Sequence, residues 1–474
     1  MKHYFSLFLI CLVACRATTP EEKAKPNILI IIADDLNEYG MLHTYAPVQV
    51  PNMDAFRETA ITFPYTYCAA PECNPSRAAL LSGMAPHRTG SYHNGGKPWA
   101  RILQDVISLP EHMKANAYST FGRGKLFHSE MVEGKEAKCW DNQVYKGGFG
   151  PFPPEEAWGP SKFFSFKAWE GPDQDFPDVK NVEATVDFLQ EDHEKPFFAV
   201  LGLWRPHTPF TAPKRFFDQY QLSQFDSLPP GYWVDDSLDV AQESYAINDM
   251  WDRFPLIGPS NPQLWRQYLH AYAASTSFAD WSFGKVIEAL DASQYADNTL
   301  VLFFSDNGYH CGEKNNWEKS TLWERAANTP MMVRLPDKRN QGQECYSPVS
   351  LLDLYPSLIE FADLSPAPHS LDGESIVPLW EDVSQERSEP VLTSFGERWA
   401  SIRDARYRYI SYPDGGQELY DHQSDPFEFH NLAQDSASLP TIERLQSSLP
   451  ADWATALQSD KWDRIRANRE KLSQ

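Results

Sequence analysis

The 474-residue chain is short of what several protein classes need. It has seven cysteines, and no Cys-x-x-Cys or Cys/His spacing among them suggests a zinc site. Positive charge is scarce, with 42 Lys and Arg against 65 Asp and Glu and a net charge of −23. This argues against a nucleic-acid binder, because phosphate backbones are gripped by clustered Lys and Arg. An anionic substrate would need a local cationic pocket, since the chain as a whole repels anions. Beyond the N-terminus there is no 18-residue apolar run, so no membrane-spanning helix is expected. Internal repeats and low-complexity tracts are lacking too. What is present, 42% hydrophobic and 14% aromatic residues, is enough to bury a large core.

Lys2 and His3 precede an apolar stretch, Tyr4 to Ala14, of signal-peptide length and too short to cross a bilayer. It ends in Leu12-Val13-Ala14-Cys15, which resembles a bacterial lipobox; ordinary secretion is the alternative reading. Residues 1–15 are thus expected to be a signal peptide with lipobox and 16–26 a tether. The protein is expected to be exported, as a periplasmic or cell-surface lipoprotein held to the membrane by its lipid anchor only. Cys11 and Cys15 belong to this signal. Of the remaining Cys68, Cys73, Cys139, Cys311 and Cys345, an odd number, one should have another fate, and Cys73 is the candidate. The other four allow three pairings, or free buried thiols.

Asn27 to Ala33 (NILIIIA), Pro196 to Trp204 (PFFAVLGLW) and Thr299 to Ser305 (TLVLFFS) are continuous apolar runs, the mark of strands buried on both faces. Helical patterns lie between and after them, at 53–60, 77–84, 109–116, 182–191, 268–290 and 350–362. This alternation predicts an α/β fold with a large, mostly parallel sheet flanked by helices. Two stretches rich in Pro, Gly and aromatics, 131–178 and 223–262, read as long loops that shape a pocket. From about Glu389 the texture changes to short strands, as at 399–403 and 407–412, with a closing helix at 453–469. The expected domains are 27–388, catalytic, and 389–474, a smaller antiparallel α+β subdomain.

Polar residues collect where the buried strands end: Asp34 and Asp35 after the first, His207 after the second, Asp306 and Asn307 after the third. Open α/β sheets bind ligands outside the carboxyl ends of their strands. Each group alone has an ordinary reading as a cap or turn. Together they make an oxygen-rich set suited to a hard divalent cation, Ca²⁺ or Mg²⁺.

Cys73-Asn74-Pro75-Ser76-Arg77, running into Ala78 to Gly83, resembles the C-x-P-S-R motif of the formylglycine-dependent (type I) sulfatases, which share the alkaline-phosphatase-like fold. The resemblance extends from about Asn27 to Asn431. Gly124-Lys125-Leu126-Phe127-His128 resembles the family's G-K-x-x-H segment. Pro206-His207-Thr208-Pro209-Phe210 and the segment from Gly312 through Lys319 to Glu324 resemble the iduronate-2-sulfatase branch. Asp306-Asn307-Gly308 departs from that branch's Asp-His-Gly and weakens an assignment to iduronate.

The resemblance implies that a maturation enzyme oxidises Cys73 to formylglycine, whose hydrate attacks sulfur. It implies a cation held by Asp34, Asp35, Asp306, Asn307 and residue 73, with Ca²⁺ favoured over Mg²⁺. Arg77 would steady this arrangement, and Lys125 and Lys319 would bind sulfate. His207 would protonate the leaving oxygen and His128 would act as base, although the two histidines are interchangeable on sequence alone. The expected activity is hydrolysis of a sulfate ester on a saccharide, a glycosaminoglycan or algal polysaccharide. The rivals are a phosphodiesterase or phosphonate hydrolase on the same scaffold, and a non-catalytic lipoprotein that binds sulfated glycans. His310 reads as a solvated loop residue, and Trp317, Trp323 and Trp399 as core.

Overall fold

A computed structural model describes residues 25–38, 47–157, 162–226, 240–241, 244 and 261–472. The expected signal peptide, most of the tether and most of the 223–262 loop lie outside the described residues. Among those described, no helix is long and apolar enough to cross a membrane.

The central sheet has six strands: β1 (Asn27–Asp34), β2 (Ile61–Phe63), β3 (Ser119–Gly124), β4 (Phe197–Pro206), β5 (Thr299–Ser305) and β6 (Met331–Arg334). Their spatial order is β2-β6-β5-β1-β4-β3. The pairs β1–β4, β1–β5 and β3–β4 are parallel, and only β6 runs antiparallel to its neighbours β5 and β2. The expected mostly parallel sheet is therefore present.

The reason for the unbroken apolar runs shows in β1. Leu29, Ile31 and Ala33 face one hydrophobic core, while Ile28, Ile30 and Ile32 face another on the opposite side. A strand that feeds two cores has no solvent face to mark with polar residues. One core is covered by α3 (Pro262–Asp291) and α2 (Pro177–Gln190), the other by α1 (Cys73–Ser82) and α4 (Leu354–Phe361).

The C-terminal part forms a four-stranded antiparallel sheet, β7 (Val391–Gly396), β8 (Trp399–Arg403), β9 (Tyr407–Ser411) and β10 (Gln417–Asp421). One face packs Phe395, Trp399, Ile410 and Tyr420 against Tyr92, Leu322 and Trp323 of the preceding part. The other face buries Ile402, Tyr409 and Leu419 under Ile442 and Leu445. The closing helix, α5, spans Asp460–Leu472, beginning seven residues later than the sequence pattern at 453 suggests. Residues 453–457 instead lie against 87–90, where Ala454 N donates to His87 O and Leu457 N to Gly90 O, partners far away in sequence that take the place of a helix's own.

The five described cysteines are all free and buried, so no disulfide joins Cys68, Cys139, Cys311 or Cys345.

Candidate active site

The strand ends meet as expected. β1 delivers Asp34 and Asp35, with Asp35 in the left-handed region (φ 64°), which turns its side chain from the sheet axis into the site. β5 delivers Asp306 and Asn307, and β4 runs to Pro206, leaving His207 one residue beyond it. Lys125 follows β3, whose close approach to β4 requires two glycines. A Cβ on Gly202 would lie 1.7 Å from the Lys125 carbonyl oxygen, and one on Gly124 (φ 75°) would lie 2.0 Å from the Gly202 oxygen.

Cys73 is the first residue of α1, and Glu72 is its extended N-cap. Pro75 is tolerated here because the first-turn N–H groups have no partner within the helix. The Cys73 thiol is fully buried. It donates to Asp34 Oδ1 at 3.2 Å, accepts from Lys319 Nζ at 2.8 Å, and lies 3.7 Å from Asp35 Oδ1. Burial, then the Asp306 and Asp34 carboxylates, push its pKa well above the ordinary thiol value, so the unmodified side chain is a protonated, poor nucleophile.

Three carboxylates face three cations. Lys125 Nζ lies 2.5 Å from Asp34 Oδ2, Lys319 Nζ contacts Asp35 Oδ1, and Arg77 Nε donates to Asp306 Oδ2 at 2.6 Å. Burial alone would raise the Asp34 and Asp35 pKa values. Lys125 for the first and Lys319 for the second, each aided by His207, outweigh it and hold both below the usual carboxylate value. Lys319 in turn is carried well above the ordinary lysine value: desolvation opposes its charge, but Asp35 wins. Arg77 also donates to the Lys125 carbonyl oxygen, and Ser76 Oγ to the Asp306 carbonyl oxygen at 2.5 Å, so α1, β3 and β5 are tied at this point.

His207 Nε2 is 3.6 Å from Asp35 Oδ2, and its Nδ1 lies 2.5 Å from the Thr208 carbonyl oxygen. Burial lowers its pKa, against the pull of Asp34 and Asp35 in the other direction. His128 stands at the rim with an open face to solvent, in the left-handed region (φ 61°). Loss of hydration on its inner face, then Lys125, Arg77 and Lys319, hold its pKa well below the ordinary imidazole value. All the sequence-predicted site residues therefore converge.

The donor set suits a hard cation. One ligand atom each from Asp34, Asp35, Cys73 and His207 lies within 4.8 Å of the others. Asn307 donates Nδ2 to Asp35 Oδ1 at 2.7 Å, while its buried Oδ1 has no hydrogen-bond partner. An oxygen acceptor left open beside three carboxylates is what a divalent cation takes. The residues fit such an ion.

His310 departs from the solvated loop residue expected. It is fully buried rather than solvated, with Nε2 2.7 Å from Thr321 Oγ1, and burial lowers its pKa to about 3. Trp317, Trp323 and Trp399 are core residues, as expected. Sequence reasoning missed Phe149, whose ring centroid is 4.4 Å from that of His207 and 5.3 Å from Lys125 Nζ. It also missed Glu72 and Ser320, which join beside Cys73 and Lys319. Their only sequence signal is adjacency to a motif residue.

Residues 26–364 match the family described as Sulfatase, and residues 312–453 match N-sulphoglucosamine sulphohydrolase, C-terminal. A sulfatase of Formosa agariphila is 33% identical over 95% of this chain and 92% of its own. Iduronate 2-sulfatase of Homo sapiens is 25% identical over 86% of this chain and 91% of its own. A solved structure described as a 2-O GAG sulfatase superposes with a TM-score of 0.70 at 20% identity, covering 95% of this chain and 94% of that one. The chain belongs to the sulfatase family. It is a sulfuric ester hydrolase with the sulfatase fold, and iduronate 2-sulfatase is among its relatives.

Proposed function

We propose that this protein hydrolyses a sulfate ester on a saccharide, with residue 73 in its oxidised, formylglycine form as nucleophile and with a divalent cation, Ca²⁺ or Mg²⁺, beside it. The observation that carries this reading is the position of the Cys73 sulfur, within hydrogen-bond reach of both Asp34 and Lys319 at the start of α1. That sulfur stands where the oxygen of the oxidised side chain would be. Asp34, Asp35, Asp306 and Asn307 would hold the cation, which when bound supplies positive charge to the sulfate and makes an adjacent oxygen more acidic. A saccharide substrate is supported by the relative named for a sugar acid and by the similar fold described as a GAG sulfatase.

The chain's own residues supply the rest. Lys125 and Lys319, buried against carboxylates, are placed to turn charge-assisted hydrogen bonds on the sulfate oxygens. Arg77 stays on Asp306 and orients it. With His207 Nδ1–H committed to the Thr208 carbonyl, Nε2 carries a proton only in the imidazolium, the form that Asp34 and Asp35 favour, and from that form Nε2 protonates the departing sugar oxygen. His128, held in its neutral form, takes up the proton whose removal lets residue 73 release sulfate. In this reading a maturation enzyme oxidises Cys73. The lipobox-like Leu12-Val13-Ala14-Cys15 supports export with a lipid anchor.

The test is a screen of matured protein over defined sulfated oligosaccharides, reading released sulfate, with aryl phosphate and phosphonate esters alongside. Sulfate release, together with an aldehyde at residue 73 by mass spectrometry, is expected. Much faster phosphonate or phosphate hydrolysis would overturn the reading. So would a residue 73 that stays a thiol in protein from its native host, which is what a glycan-binding lipoprotein would show.

A further inference from the structure

The residues just before Cys73 and just after Lys319 are joined to each other and to the far end of the chain. Glu72 is fully buried, and each of its carboxylate oxygens is in use. Oε2 accepts from Asn94 N at 2.6 Å, and Oε1 accepts from Ser320 Oγ at 2.6 Å and from Lys461 Nζ. Lys461 Nζ also donates to Ser320 Oγ at 2.9 Å. Lys461 is the second residue of α5, 389 positions from Glu72 by number, and its side chain is only 13% exposed.

The surroundings are built to hold it there. His93 stacks on Trp462 with ring centroids 5.5 Å apart and 21° between planes, and Ser459 Oγ lies 3.1 Å from His93 Nδ1. Trp462 also meets Trp399 edge-on at 5.3 Å. A Cβ on Gly95 would fall 2.3 Å from Ser459 Cβ, so the 93–96 turn and the start of α5 are in direct contact. Asn94 carries this contact onward: its Oδ1 accepts from Asn74 N at 2.9 Å, and its carbonyl accepts from Asn74 Nδ2 at 3.0 Å.

We propose that Lys461 is a positioning residue for the sulfatase reaction: it clamps Glu72 to Ser320 and so fixes the separation of their neighbours, residue 73 and Lys319. The inference rests on the reading of residue 73 as nucleophile. The physical reason is the cost of a buried, uncompensated carboxylate. Without the ammonium, the buried Glu72 carboxylate loses its cation and Ser320 Oγ loses one of its two partners, so the link between the two segments loosens. Ser320 sits in the left-handed region (φ 71°), a conformation that persists only while its surroundings impose it. Its release moves Lys319, which is 2.8 Å from the residue 73 sulfur. Misplacement of a reacting group by an ångström costs up to about 100-fold in rate.

The test compares wild type, Lys461→Ala, Lys461→Arg, Glu72→Gln and the Lys461→Ala/Glu72→Gln double variant, with 4-nitrophenyl sulfate as probe. The aldehyde content at residue 73 is measured in each by mass spectrometry. At equal aldehyde content, Lys461→Ala is expected to lower kcat about 10- to 100-fold with little change in KM. Lys461→Arg should recover most of that loss, and the double variant should lose less than the product of the singles. A second arm needs no turnover. In unmatured protein, iodoacetamide should label Cys73 about tenfold faster in Lys461→Ala than in wild type, with Cys139 in the same molecule as reference. Unchanged kcat, a loss explained wholly by lower aldehyde content, or unchanged Cys73 labelling would each overturn the clamp. An inactive wild type would bring down the reading of residue 73 as nucleophile instead, and the labelling arm would still decide the clamp.

Discussion

Two buried charge clusters in this molecule look alike in composition and differ in what they can do. At the strand ends, Asp34, Asp35 and Asp306 face Lys125, Lys319 and Arg77. Beside the C-terminal sheet, Glu324 and Glu428 face Arg403 and Arg408, with His422 next to them. Both sets contain groups close enough to hold a metal ion.

In the second set Arg408 spans both carboxylates: it contacts Glu324 Oε2 and lies 2.8 Å from Glu428 Oε1. Tyr67 Oη donates to Glu324 at 3.0 Å, and His422 Nε2 lies 2.9 Å from Glu428. Guanidinium is planar and always charged, and Arg408 pairs with both carboxylates at once, so neither carboxylate is left open to an incoming ion. In the first set two of the three cations are ammonium groups, point charges on flexible stems, and Asn307 Oδ1 lacks a partner. Burial of charge is common to both. An unfilled acceptor and exchangeable countercharges distinguish the chemical cluster from the structural one.

That contrast can be broken at several points. The largest effect is expected at the nucleophile: Cys73→Ala should lower kcat by roughly 10⁴-fold or more, while denaturant unfolding stays close to wild type. His207→Gln should lower kcat for sugar sulfates by about 10²–10⁴-fold. The loss should be smaller for 4-nitrophenyl sulfate, whose leaving group needs less protonation; an equal loss for both would remove His207 as the acid. Arg408→Met should do the opposite of Cys73→Ala, costing about 3–5 kcal/mol of stability in urea unfolding by leaving Glu324 and Glu428 buried without their cation. Fully active but destabilised enzyme is the expected outcome. A smaller effect separates the clusters by metal. Added Ca²⁺ or Mg²⁺ at about 100 times its Kd should raise stability by about 2.7 kcal/mol through one site, lost in Asp35→Asn and kept in His422→Gln. Two ions per chain, or loss in His422→Gln, would erase the distinction.

Much of this was legible in the sequence, for identifiable reasons. β5 is the run Thr299–Ser305 to the residue, and β1 extends the run Asn27–Ala33 by one, because a strand buried on both faces has no polar alternation to confuse its limits. β3 was not legible: Ser-Thr-Phe-Gly-Arg-Gly has little strand propensity, and it is a strand because β4 pairs with it along Ser119–Gly124. β2 and β6 are three and four residues long and mark an antiparallel edge that no local pattern announces.

In the site, residues carried by short motifs were found, since motif spacing is itself the signal. His310 was misread because its burial depends on Thr321 and on the Trp323 ring, 6.1 Å away between centroids, not on its own polar neighbourhood. Lys461 was invisible for a similar reason: a surface-like lysine in a charged helix gains its role only when the chain's last helix closes on Glu72.

The central claim is that the oxidised form of residue 73, and not its thiol, takes a sulfuryl group from a sugar. Preparations in which the aldehyde fraction at that residue ranges from none to nearly complete test it directly, with sulfate release from one defined sulfated oligosaccharide as the readout. Release should rise in proportion to the aldehyde fraction and vanish with it. Sulfate release that persists in protein whose residue 73 is wholly thiol would contradict the account.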